Sequence, residues 1–216
     1  MVRSEDDKEQ LYYGQNNFAD EESHKNRGLI ICRGGGDLAT GIVHRLHRSG
    51  FQVLILETGH PAAIRRQVSF SEAVYDKTTT VEGVTAQLIG QVHALNGNGD
   101  RDKNVLVSEI DAAFSCGNIP LLIDPRGDSI RLLKPDVVID AIIAKKNLGT
   151  TIDMAPLVIG IGPGFTAGID VDLVIESMRG HHLARIITDG SALADTGVPG
   201  NIGGYTKERV IHAQPV

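Results

Sequence analysis

Short apolar runs recur along the chain, separated by glycine-rich and charged stretches. The run at 29–32 (LIIC) predicts a buried strand. A helix is predicted over 38–49, where Leu38, Ile42 and Leu46 recur at four-residue steps beside Ala39 and Val43, with His44, Arg45, His47 and Arg48 on the other side. Gly50 suits the residue just past its end. Further strands are predicted at 51–56, 120–124, 137–140, 157–161 and 185–188, and further helices at 107–114 and 171–179, the last stopped by Gly180. The stretch 141–146 either extends the strand before it or turns into a helix. The stretch 67–94 is mixed, either short strands or a helix with a hairpin. NGNGDRDKN, 96–104, has the composition of a flexible surface loop.

Apolar strands without alternation suit a parallel sheet covered on both faces. The expected fold class is therefore α/β, Rossmann-like, with a mostly parallel sheet and helices on both faces, over residues 29–190. Residues 1–28 are polar and aperiodic and are expected to be a disordered tail. Residues 191–216 are rich in turns. They read either as a loop-rich tail packed on the α/β domain or as the start of a further, truncated domain.

The connection between the first strand and helix is Gly34-Gly35-Gly36-Asp37-Leu38-Ala39-Thr40. Gly34, Gly36 and Ala39 match the G-x-G-x-x-G/A dinucleotide fingerprint: a tight turn, a close backbone approach to phosphate, and close helix–strand packing. N–H groups at a helix start attract an anion. Glu57 stands 21 residues past Gly36, at the end of the next strand, where an acid can bond a ribose hydroxyl. The competing reading is a tight β–α turn with Asp37 as helix cap.

The same plan recurs at an offset of 128, where Gly162, Gly164 and Ala167 match Gly34, Gly36 and Ala39, and Asp189 lies 25 residues beyond Gly164. Phe165 and Thr166 complete this second candidate loop. Pro163 removes a donor from it, so it is either a ligand loop or a structural turn. Glu57, Asp124, Asp140 and Asp189 each end a predicted strand. If all those strands are parallel, the four acids share one edge, holding ribose hydroxyls, a metal, or only the N–H groups of the following loops. Lys145 and Lys146 either reach a phosphate or form a solvated pair.

Composition narrows the function. The net charge is −6, and residues 1–27 hold four Lys/Arg against seven Asp/Glu. Neither that segment nor the remainder offers the basic face that nucleic acid or anionic membrane requires. With no Trp and few aromatics, base stacking has little to work with. The two cysteines, Cys32 and Cys116, make neither a disulfide framework nor a zinc cluster. His181-His182 lacks a third metal ligand at a suitable spacing. No metal site and no catalytic residue are expected from the pattern. No apolar run is long enough to span a membrane, and the cytoplasm is the expected compartment.

RGGGDLATGIVHRLHRSGF, RRQVSFSEAVY, IPLLIDP, LLKPDVVIDAIIAKKNLGT, DMAPLVIGIGPGFTAG and GVPGNIGGYTKERV together resemble one family, from Leu29 to the C-terminus. It is the accessory proteins of the selenium-dependent molybdenum hydroxylase system, the YqeB-like group, which is similar to the XdhC/CoxI maturation factors. The resemblance implies a maturation factor that binds, modifies or delivers molybdopterin, or its dinucleotide form, to a molybdenum hydroxylase. It marks the 34–41 and 162–168 loops, with Lys145, Asn147 and Tyr205 inside further marked segments. Residues 1–28 depart from the pattern, and relatives are expected to continue past Val216 with a β-rich portion.

Two other readings stay open. One is an NAD(P)-dependent oxidoreductase using Gly34–Ala39 and Glu57, with the acid favouring NAD. The other is a non-catalytic module that binds a hydroxylase subunit, in which the glycines serve only turns.

Overall fold

A computed structural model describes residues 28–92, 99–195 and 201–205. The expected tail at 1–28 therefore lies outside the described residues except for Gly28, as do 93–98, 196–200 and 206–216.

The first unit follows the expectation. β1 (Leu29–Arg33) leads through α1 (Asp37–Arg48) to β2 (Gln52–Glu57). α1 buries Ala39, Thr40 and Val43, with Ile42 and Leu46 packed on the same cluster. It ends in a Schellman arrangement: Gly50 takes φ 85°, its N–H donates to His47 O at 2.9 Å, and Phe51 N–H reaches Leu46 O at 3.2 Å. Leu38 departs from the expected stripe. It is half exposed and lines a cleft instead of the core.

After β2 the chain turns through two short 3-10 segments, Arg66–Val68 and Phe70–Glu72, into the single turn α2 (Ala73–Asp76). The hairpin β3 (Thr78–Val81) and β4 (Val84–Gln91) follows. α3 (Gly99–Ser115) begins well before the expected helix at 107–114 and takes in most of the expected loop at 96–104. β5 (Ile119–Ile123), α4 (Asp128–Leu133), β6 (Val137–Asp140) and β7 (Leu157–Ile161) come next. The last described strands are β8 (Thr166–Ala167), β9 (Leu173–Ile175), β10 (Ile186–Ile187) and β11 (Gly190–Ser191). The helix expected at 171–179 is absent: β9 occupies it, hydrogen-bonded in parallel to β7. After β6 the chain neither extends nor coils into a helix, and Ile143 and Lys145 hold φ of 57° and 62°.

The main sheet has nine described strands in the order β10-β9-β7-β6-β1-β2-β5-β4-β3. The seven from β9 to β4 run parallel, and the edge strands β10 and β3 run antiparallel. Alternation divides the core between two faces. Ile30, Cys32, Val53 and Ile55 join Ala39, Val43 and Phe70 on the α1 face, while Ile31, Leu54 and Leu56 join Ile110 and Ile130 on the face of α3 and α4. This is the Rossmann-like architecture expected. From β1 the chain crosses to β2 on one side; later it places β6 on the other. The gap between β1 and β6 is thus a topological switch point, where open α/β sheets leave a crevice at their carboxyl edge.

Candidate site at the switch point

Gly34 lies in this gap. Its φ is +97°, and a Cβ there would stand 3.0 Å from Ala141 O and from the backbone N and Cα of Ile142. Only glycine fits both demands. Its N–H donates to Leu56 O at 2.8 Å. The next amide, Gly35 N–H, donates to Glu57 Oε2 at 2.8 Å. Gly35 O accepts from Ser71 N–H at 2.8 Å and from Thr40 Oγ1 at 3.2 Å. Thr40 Oγ1 in turn accepts from Phe70 N–H at 2.8 Å. The glycine loop is therefore pinned on one side by the 69–72 segment.

Beyond Gly35 the backbone opens. Gly36 is the N-cap of α1, in extended conformation, and no side chain caps the helix. The N–H groups of Gly36, Asp37, Leu38 and Ala39 meet no protein acceptor among the described residues. Asp37 is the first helical residue and not the cap; its carboxylate pairs with Arg65. A cleft of about 640 Å³ opens at this helix start. Its polar lining includes Glu57, Arg65 and Ser71, and Leu38, Ile64 and Ile142 supply apolar walls.

Glu57 is turned toward the protein. Oε1 accepts from Thr58 N–H at 2.7 Å while Oε2 holds Gly35. Burial pushes its carboxyl above the ordinary range, and the two backbone N–H bonds work against that rise.

The acids at the carboxyl edge share this habit. Asp124 accepts from Ser129 N–H at 2.8 Å and from Gly127 and Asp128 N–H at 3.0 Å, organising the start of α4. Asp140 accepts from Ile142 N–H at 3.1 Å, from the Thr150 hydroxyl, and from Arg33 Nη1 at 3.4 Å. Asp189 does not belong to the set, because β10 runs antiparallel and carries it away from that edge. The acid at the end of β9 is Glu176, which holds Met178 N–H at 2.7 Å and Leu193 N–H at 2.8 Å.

The second glycine loop is differently built. It runs into β8 and then β9 and not into a helix, so Gly162, Gly164, Phe165, Thr166 and Ala167 do not form a helix start. Gly162 N–H donates to Ile175 O at 2.8 Å, and Thr166 N–H to Asp170 Oδ2 at 2.8 Å. Phe165 and Ala167 are core residues. A Cβ at Gly164 would stand 2.7 Å from Lys146 Cα, so that glycine serves a backbone crossing. Lys145 Nζ pairs with Asp195 at 2.7 Å. None of the second loop's residues lines the cleft at α1.

The pattern along the chain pointed to Gly34–Thr40 and Glu57 but not to Arg65, Ser71 or Ala141–Ile143. A signal for them was present. RRQVSFSEAVY carries Arg65 and Ser71, and LLKPDVVIDAIIAKKNLGT carries Ala141–Ile143. Both segments converge with RGGGDLATG on this one cleft.

Among the described residues, no three His, Cys, Asp or Glu side chains are grouped as a metal site. No helix among them is long and apolar enough to cross a membrane. No protein-family model matches the chain. No solved structure matches it. A homologue is found in Escherichia coli (strain K12): the chain is 46% identical over 185 residues to a protein described as "Uncharacterized protein YqeB". That alignment takes in 86% of this chain and 31% of YqeB, so the chain spans about a third of its relative's length. The chain is thus similar to YqeB over most of its own length, in keeping with a YqeB-like kinship.

Proposed function

We propose that this chain holds the phosphate-bearing end of a nucleotide-type cofactor in the cleft at the start of α1. The observation that carries this reading is the row of N–H groups from Gly36 to Ala39, which meets no protein acceptor among the described residues and opens at the switch point. A twelve-residue helix adds its dipole to those donors. The apolar walls at Leu38, Ile64 and Ile142 suit the organic body of such a ligand.

The resemblance to the selenium-dependent molybdenum hydroxylase accessory group supplies the cargo in this proposal: molybdopterin, or its dinucleotide form with a pyrophosphate. The donor set suits it, since N–H groups and a hydroxyl are the partners a pyrophosphate needs. The chain then acts as a maturation or delivery factor, and its protein partner is a molybdenum hydroxylase. Its residues bind and orient the cargo, and no catalytic step is assigned to them.

Glu57 weighs against NAD as the resident ligand. Both of its oxygens already accept backbone N–H groups, so it is not presented as a dedicated ribose clamp. Calorimetry with NAD, NADP, CTP and released molybdopterin tests the order of preference. Mass spectrometry of the small molecules that co-purify with the protein tests the identity of the cargo. A micromolar preference for NAD, accompanied by hydride transfer, overturns the proposal.

A further inference from the structure

Ser71 is 1% exposed, and its Oγ has no hydrogen-bond partner among the described residues. A buried hydroxyl left without a partner is destabilising, and such a group in a native fold needs a reason. Its place in the fold suggests one. Ser71 lines the same cleft as Gly36, Leu38 and Ala39. Its own N–H is spent on Gly35 O at 2.8 Å, and the adjacent Phe70 N–H on Thr40 Oγ1 at 2.8 Å. The residue is therefore fastened to the glycine loop and cannot swing away without breaking those bonds.

The α1 start offers only donors. A group that satisfies them must be rich in acceptors, and a hydroxyl beside them adds one more donor. A phosphoryl group meets this demand. Arg65 pairs with Asp37 and so offsets the carboxylate in the first turn of α1, while Glu57, the other carboxylate lining the cleft, is held by the N–H groups of Gly35 and Thr58. The cleft, at about 640 Å³, has room for more than inorganic phosphate and continues along Leu38, Ile64 and Ile142.

We propose that Ser71 is a phosphate-binding residue, whose hydroxyl donates to a phosphoryl oxygen of an organic phosphate seated on the N-terminus of α1. This rests on the reading of the cleft as a nucleotide-type site. Ser71 is kept despite its orphaned hydroxyl because the ligand supplies the missing partner.

Ser71→Ala in the full chain tests it with two readouts of opposite sign. Removing the orphan raises the ligand-free Tm by about a few degrees. The same change weakens the Kd for inorganic pyrophosphate and for CDP about tenfold, the size of one hydrogen bond to a charged group. Ser71→Cys, similar in size but a weak donor, weakens both ligands as well. Wild-type affinity in Ser71→Ala overturns the assignment of Ser71 and leaves the cleft as a site. A fall in its ligand-free Tm overturns the assignment too, because the hydroxyl then serves the fold. Failure of the wild-type chain to bind either probe overturns the seat itself, and the proposed function with it.

Discussion

Glu57 accepts a hydrogen bond from Gly35 N–H at 2.8 Å, across the loop that joins β1 to α1. The acid at the end of the second strand thus braces the glycine turn from beneath. The amides beyond the turn are left for whatever enters the cleft.

The burial of this carboxyl, which the bond only partly offsets, gives a pH dependence. Burial raises the Glu57 carboxyl in the folded chain, so the native state holds that proton more tightly than the unfolded chain does. The contribution to stability is complete below the ordinary glutamate pKa and is lost as pH rises through the raised one. Denaturant titrations from acid to neutral pH should show a decline that Glu57→Gln removes. At neutral pH, Glu57→Gln sets an NH2 group against one of the two backbone donors. It should cost ~1–3 kcal/mol, less any relief from the buried charge.

Gly36 and Gly34 should respond in opposite ways. A Cβ at Gly36 meets nothing within 4 Å, and its φ of −64° with ψ of 178° suits any residue. Gly36→Val replaces a favoured N-cap residue by a poor one and should cost about 1 kcal/mol or less while abolishing pyrophosphate binding by calorimetry. Gly34→Ala meets positive φ and the Ala141–Ile142 backbone together. It should lose ~1–3 kcal/mol in chemical denaturation. Unchanged affinity in Gly36→Val would favour the module in which glycines serve only turns.

Arg33 and Asp140 form an ion pair with side-chain exposures of 1% and 2%, at 3.4 Å. Arg33 also reaches the Thr150 hydroxyl, Pro125 O and Leu148 O, tying the ends of β1 and β6 to the following loops. Asp140→Ala leaves a buried guanidinium without its counter-charge and should cost ~3–5 kcal/mol. Arg33→Met with Asp140→Leu should recover much of that loss, read from the same denaturation curves.

The two thiols should separate cleanly. Cys116 is exposed and Cys32 is buried. Burial first, then the charges of Asp140 and Glu57, push the Cys32 thiol far above its ordinary range. The thiolate is the reactive form, so Cys116 should label rapidly with a maleimide while Cys32 reacts only in denaturant. Rapid labelling of both in the native chain would contradict the packing under α1.

The β1–α1–β2 unit was legible because its instructions are local. A four-residue apolar spacing, Gly50 at the helix end, and glycines where the turn is tight all act within a few residues of one another. The apolar parallel strands β5, β6 and β7 were legible for the same reason. Strand order, direction and the membership of the cleft were decided elsewhere. β9 lies in VDLVIES, where Val171, Val174 and Ile175 follow a helical spacing, yet pairing with β7 satisfies its backbone as a strand. β10 lies within the strand expected at 185–188, but its direction is set by pairing with β9, and that antiparallel direction takes Asp189 from the edge and leaves Glu176 there. Ser71 stands 35 positions from Gly36 and joins it only because Gly35 O captures its N–H. Contacts between distant segments depend on which apolar faces and backbone groups find one another in the packed chain, and no local pattern of residues records that choice.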